Sequence, residues 1–278
     1  MGFADLHIHT AYSVDGTATP QAVLKHAAHH TDLDVIAITD HDEIRGALEA
    51  RELDGQYAIE VVPGVEITSR DGHILALWVE RNIPAGLSAE ETIGRIGEQG
   101  GLAIAAHPMT RGTSSLSDKT IRRALDIPDL AAIFIGIETF NAGLLYDRLS
   151  NRRARLLAET LPVAQVANSD AHTPWMIGAG RTSFPGHRAA DLRQALLERT
   201  VKPVIARDLP GPLLAAEWFT FYALRLAGFV LHNPAPERGT MLMRSGLPFP
   251  NLREFFEPGY VSANRKMRLL SQARARNL

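Results

Sequence analysis

No cysteine occurs among the 278 residues, which excludes disulfides, thiolate metal ligands and a cysteine nucleophile. Any metal must therefore be held by nitrogen and oxygen. Charge of one sign is also missing. With 29 Lys and Arg against 31 Asp and Glu the formal charge is −2, so only local basic pockets could attract nucleic acid or anionic lipid. The amino terminus, Met1-Gly-Phe-Ala-Asp-Leu-His-Ile-His9, lacks a basic segment followed by an apolar run, so it does not read as a secretory signal and a cytoplasmic location is expected. Leu6 stands where N-myristoylation would require Ser or Thr. An uninterrupted membrane-spanning run is missing too: the strongly apolar stretch Leu213 to Leu231 carries Glu217 and Arg225, which favours a helix packed on protein. Internal repeats and low-complexity tracts are absent.

What is present is ordinary globular material, 45% hydrophobic and 22% charged, enough for a substantial core. Short aliphatic or β-branched runs read as buried parallel strands at Phe3–Ile8, Val35–Thr39, Ile59–Val65, Ile74–Val79, Leu102–Ala106, Ile133–Glu138 and Val163–Ala167. Helical stretches fall between many of them, such as Pro20–His30, Ala89–Gln99 and Arg152–Thr160. Thr19-Pro20 has the form of an N-cap followed by proline, and Ser88 with Glu91 has the spacing of a capping box. The alternation predicts an α/β fold whose seven strands close into a barrel. The pattern stops after Val204. Residues 206–278 are expected to form a C-terminal extension, helical and aromatic at first (Trp218, Phe219, Phe221, Tyr222, Phe229). An irregular Pro/Gly-rich stretch from Asn233 to Gly259 and a basic segment from Arg265 to Arg276 follow.

Chemistry in such barrels collects where strands leave the sheet at their carboxyl ends. Nearly every predicted strand delivers an imidazole or a carboxylate there: His7 and His9, Asp40 and His41, Glu66, His107, Glu138, then Asp170 and His172. His73 sits at the start of the fourth strand and needs a turn to bring it to the same rim. In His7-Ile-His9 and Asp170-Ala-His172 alternate side chains share a strand face and can reach one ion. Burying so many such groups together is costly unless cations pair them, and nitrogen with oxygen donors suits Zn, Mn or Fe. His26, His29 and His30, on the first helix, read as a solvated face.

The segments Asp5-Leu-His-Ile-His-Thr10, Ser13-Val-Asp-Gly16, Ile38-Thr-Asp-His-Asp42, Pro63-Gly-Val-Glu-Ile67, Ala106-His-Pro108 and Asn168-Ser-Asp-Ala-His172 resemble the ordered motifs of the PHP (polymerase and histidinol phosphatase) family, over about residues 3 to 205. The resemblance implies a distorted seven-stranded (β/α) barrel over residues 1–205, two or three divalent cations, and hydrolysis of phosphoesters. It assigns His7, His9, Glu66 and Asp170 to one metal. Glu66, His73 and His107 would hold a second, with Glu66 bridging, and Asp15, His41 and His172 a third. Val14 lengthens the spacing to Asp15 by one residue relative to the common Ser-Asp-Gly form. Relatives that process oligonucleotides often carry a long insertion between the counterparts of His73 and His107, and only a short link is present here.

The expected chemistry is attack by a metal-activated hydroxide on a small phosphorylated metabolite or nucleotide, with nucleic acid the less favoured partner. Asp40 would orient His41 or shuttle a proton. Arg111 and Arg181 are candidates to clamp phosphate, and Glu138 and Asn141 to support the ligands. Two rival readings are a metal-dependent C–N or C–O hydrolase, since the same hydroxide attacks carbonyl carbon, and a non-enzymatic scaffold. The aromatic tail would cover the metals as a lid or join two copies of the chain.

Overall fold

The computed structural model describes residues 1–111, 113–144 and 149–226. Within them nine strands, β1 (Gly2–Asp5), β2 (Val35–Ile38), β3 (Glu60–Thr68), β4 (His73–Leu77), β5 (Leu102–Ala105), β6 (Phe134–Asn141), β7 (Ala164–Asn168), β8 (Gly180–Phe184) and β9 (Lys202–Ile205), form one sheet in the order β7-β6-β5-β4-β3-β2-β1-β8-β9. The helices are α1 (Pro20–His30), α2 (Arg45–Glu52), α3 (Ala89–Gly97), α4 (Asp118–Leu125), α5 (Pro128–Ala131), α6 (Leu149–Ala158), α7 (Ala189–Glu198) and α8 (Gly211–Leu226). The two helix starts expected from sequence form as such. Thr19 accepts from the Ala22 amide ahead of Pro20, and Ser88 and Glu91 close a reciprocal capping box.

The seven expected strands are present and the sheet curls into a nearly closed barrel. Its seam lies between β1 and β7, where the chain just past each strand still pairs: the His9 amide donates to the Ala171 carbonyl (2.8 Å) and the Ala171 amide to that of His7 (3.2 Å). One expectation is corrected. The strands are not all parallel, because β4 runs antiparallel to both β3 and β5. The start of β4 therefore lies where its neighbours end, and His73, paired in register with Thr68, reaches the common rim without a special turn.

Strand alternation divides the core. Val35 and Ala37 of β2 join an inner cluster with Leu6, Val62, Leu75 and Ile104, whereas Ile36 and Ile38 join an outer one with Val23 and Leu24 of α1. Leu192 and Leu196 of α7 belong to the inner cluster. The antiparallel pair β8 and β9, joined through α7 and unforeseen from sequence, adds to β1 through β8 in antiparallel fashion. Its outer strand is short, mostly exposed and contains Pro203, all marks of an edge. Beyond it Leu209 and Leu214 are buried in the outer cluster and fasten α8 to the barrel. No helix among the described residues is long and apolar enough to cross a membrane. The segments expected at Asn233–Gly259 and Arg265–Arg276 lie outside the described residues, as does the end of the apolar stretch after Leu226.

Candidate metal centre

The imidazoles of His7, His9, His41, His73, His107 and His172 and the carboxylates of Asp15, Glu66 and Asp170 converge at one end of the barrel. Glu66 is central. On β3 it shares the inward face of Val62, and its two oxygens look at different partners. Oε1 lies 2.8 Å from His73 Nδ1 and 3.0 Å from His107 Nε2. Oε2 lies 3.2 Å from His7 Nε2, 3.3 Å from His9 Nε2 and 3.1 Å from His41 Nδ1. Asp170 Oδ1 faces His7 and His9 at 3.3 and 3.2 Å. Asp15 Oδ2 stands 3.3 Å from both His41 Nε2 and His172 Nε2.

Three overlapping sets of donors, His9 with Asp15, His41 and His172, His7 with His9 and Glu66, and His41 with Glu66 and His73, each lie within 4.8 Å of one another. The nine sequence-derived candidates are thus brought together. The longer Ser13–Gly16 spacing is absorbed by a tight turn. The Ser13 amide bonds the Thr10 carbonyl, and Gly16 comes so close to that carbonyl that an added Cβ would sit 1.9 Å from its oxygen.

The donor set suits cations rather than mutual hydrogen bonding. His7 Nε2, Glu66 Oε2, His73 Nδ1 and Asp15 Oδ1 are buried with no hydrogen-bond partner, although nitrogen and oxygen approach closely, so the atoms aim at shared points and not at each other. Six neutral imidazoles would leave three buried carboxylates uncancelled, a charge that divalent cations would offset. Without them the groups perturb one another strongly. Burial opposes a charged His7, yet Asp170, Glu66 and Glu138 hold its pKa well above the ordinary value. Burial, then the neighbouring His172, pushes His9 down to about 4. Burial works to raise Glu66, but His41, His73 and His7 keep it well below the usual carboxylate range.

Behind the donors lies a layer of fixed polar groups. Glu138 accepts at Oε1 from Asn168 Nδ2 (2.7 Å), with His7 Nδ1 at 2.9 Å, and at Oε2 from the His107 amide (2.6 Å) and Asn141 Nδ2 (3.1 Å). Asn141 Nδ2 also donates to Asp170 Oδ2 (3.1 Å). Ser13 Oγ accepts from the His41 amide (2.9 Å) and lies 3.1 Å from His9 Nδ1, and Ser115 Oγ lies 3.1 Å from His107 Nδ1. Ser13 and Asn168 fall inside the motif segments and were legible only as motif members; Ser115 carried no signal. Three of the site's positions, Asp42, His107 and Asp170, hold positive φ (52°, 29° and 52°), a conformation non-glycine residues seldom adopt and functional sites tolerate.

Asp40 is buried behind this layer, with Oδ1 accepting from the Thr10 amide (2.6 Å) and Oδ2 from its hydroxyl (2.7 Å). Its carboxylate anchors the loop that carries Asp15. Arg111 stands exposed in the loop after His107. Arg181 corrects an expectation: it is not at the metal centre. β8 runs antiparallel beside β1 and sends this side chain over the Phe3 ring to an ion pair with Asp32, just past α1. Trp218 of α8, one of the aromatics of the expected C-terminal extension, brings its ring centre to 4.8 Å from that of His172.

Comparison with known proteins agrees with this geometry. A model of the PHP domain matches residues 5–114, and a PHP-associated model matches residues 148–201. An uncharacterised protein of Methanocaldococcus jannaschii is 42% identical over 149 residues, 50% of this chain and 81% of that one. A phosphoribosyl 1,2-cyclic phosphate 1,2-diphosphodiesterase of Eggerthella lenta is 39% identical over 87 residues, 29% of this chain and 32% of that one. Among solved structures, a two-domain protein from Bacteroides vulgatus, described as containing a predicted PHP-like metal-dependent phosphoesterase, superposes with a TM-score of 0.61 at 20% identity. That match covers 78% of this chain and 69% of the other.

Proposed function

Because the chain belongs to the PHP family, whose relatives include metal-dependent phosphoesterases, we propose that it hydrolyses a phosphoester of a small metabolite or nucleotide, using two or three divalent cations. The observation that carries this reading is Glu66, whose two oxygens face separate groups of imidazoles while two of the facing atoms, His7 Nε2 and His73 Nδ1, lack any hydrogen bond. His7, His9, Glu66 and Asp170 would hold one cation, Glu66, His73 and His107 a second, and Asp15, His41 and His172 a third. Bound cations supply Lewis acidity, lowering the pKa of water and offsetting charge on phosphoryl oxygens.

The rest of the work belongs to the chain. Glu138 fixes the ring of His7 by its Nδ1 and, through the His107 amide, the backbone of a second ligand. Ser13 orients His9 and His41 together. Asp40, bound to Thr10, acts as a positioning residue for the Asp15 loop and His41, and not as the group that carries the proton. Arg111 is the remaining candidate for a phosphate contact, from the loop that follows His107. The short link between His73 and His107 favours small substrates over polymers.

The test is metal analysis of protein purified without chelator, beside hydrolysis assays on a phosphomonoester and a phosphodiester and a His9→Ala control. Two or three equivalents of metal are expected, with cleavage of one of the esters, read as released alcohol, lost in the control. Full metal occupancy with neither ester cleaved would move the reading to C–N or C–O hydrolysis, and absence of metal would end it.

A further inference from the structure

Arg181 and the histidines of α1, unused by the metal centre, meet at a separate cavity. This cavity, about 560 Å³, is bounded by the end of α1 and the residues after it (His26, His30, Asp32), by Trp175 in the turn after His172, and by Arg181 and Arg207 from β8 and beyond β9. None of the nine metal-centre residues lines it. Its volume falls in the range of small-molecule sites, roughly 300–1,000 Å³.

Two guanidinium groups reach the cavity in different states. Arg181 is paired to Asp32, but its Nε is buried without a hydrogen-bond partner. Arg207 donates to the carbonyl oxygens of Trp175 (2.8 Å) and Ile177 (3.0 Å), which orient it without cancelling its charge. His26 and His30, one turn apart, bring their ring centres to 4.8 Å. Burial, followed by His30 and Arg207, pushes the His26 pKa down, so its ring lines the cavity as a neutral imidazole. Asp32 is the one carboxylate among these lining residues, set against two guanidiniums and two imidazoles. Two guanidiniums outnumber one carboxylate, which favours an anion, and their planar N–H donors suit a tetrahedral oxyanion.

We propose that this cavity binds a phosphorylated small molecule, its phosphate held by Arg207 and Arg181, at a site distinct from the metal centre. The occupant would bear on the segment that leads from His172 through Trp175 to Gly178, whose amide donates to Asp5 Oδ2 beneath the metal centre (2.8 Å).

Equilibrium dialysis of the metal-loaded chain against labelled inorganic phosphate tests this in the wild type, His9→Ala, Arg207→Gln and His30→Glu. Two classes of site are expected. His9→Ala should remove one, and each cavity substitution should weaken the other by about tenfold or more with metal content unchanged. His30→Glu, on the exposed end of α1, carries the test should Arg207→Gln fail to fold. Phosphate binding that disappears wholly with His9→Ala, or that ignores both cavity substitutions, overturns the proposal. Loss of phosphoesterase activity in every preparation would overturn the reading of the metal centre and leave this site standing.

Discussion

His7 Nδ1 lies 2.9 Å from Glu138 Oε1, and both side chains are fully buried. With Nδ1–H directed at the carboxylate, the His7 lone pair is left on Nε2, the atom that faces Glu66 and Asp170. Burial works to raise the Glu138 pKa, but His7 and then His107 bring it below the ordinary value, so it stays an acceptor. Glu138→Gln places an amide where four donors converge, and at least one of them must face another N–H. The expected loss is about 10–100-fold in metal affinity, with activity falling alongside, read by metal titration of the variant. A variant that keeps wild-type affinity would show that Glu138 does not set the His7 tautomer.

Removing the metals should weaken the fold as well as the chemistry. Cations that bind the native chain at about 1,000 times their Kd contribute on the order of 4 kcal/mol, equivalent to roughly 10 °C in Tm for a domain of this size. Melting curves with and without chelator are expected to differ by about that amount. Glu66→Ala, which deletes the carboxylate facing His7, His9, His41, His73 and His107, should shrink that difference to what the separate Asp15, His41 and His172 set contributes. A wild-type Tm indifferent to chelator would contradict the cation argument.

Asp5 gives a pH dependence with a defined sign. Burial pushes its carboxyl up to about 6, against hydrogen bonds from Ser169 and Gly178. A raised native pKa means that the native state binds the proton more tightly than the unfolded chain, so the contribution is fully present below about 3.8 and lost as pH rises through about 6. Asn cannot titrate. The stability difference between wild type and Asp5→Asn, measured on metal-free protein by urea unfolding, should therefore move against the wild type between about pH 4 and 6 and level off above. A difference that stays flat across that window would place the Asp5 pKa near its unfolded value.

Much of this was legible before any coordinates, and the exceptions have physical reasons. Aliphatic runs marked β1 to β7 because buried strands must be apolar on both faces, and the rim residues followed from where those runs ended. Strand direction was not encoded in them. A five-residue run reads alike either way, so the placement of His73 waited on β4 proving antiparallel. The β8–β9 pair escaped because Gly180–Phe184 is partly polar and Lys202–Ile205 is an exposed edge containing proline. Arg181 was placed at the metal centre for the same reason: its position beside Asp32 and Phe3 follows only once the strand carrying it is known to lie beside β1. Glu138 was visible as an acid at a strand end, whereas the roles of Ser13 and Ser115 depend on loop geometry that no periodicity reports.

Trp218 decides what the C-terminal helix does. Leu209 and Leu214, both buried in the outer cluster, fix the start of α8, and one turn beyond Leu214 the indole meets His172 at 4.8 Å between ring centres, inclined by 53°. An indole against the exposed side of an imidazole shields that ring from water and narrows the approach to Asp15 and His41 beside it. Trp218→Ala should therefore open the site on this side while leaving the metal donors in place. The expected change is a rise of several-fold in kcat/KM for a bulky aryl phosphodiester relative to a small phosphomonoester, with metal content retained. The same preparation run on a sizing column tests the other role, because a helix that joins two copies would lose the dimer when its indole is removed. A changed substrate ratio at constant elution volume assigns α8 to the site; an unchanged ratio with a shifted elution volume assigns it to an interface.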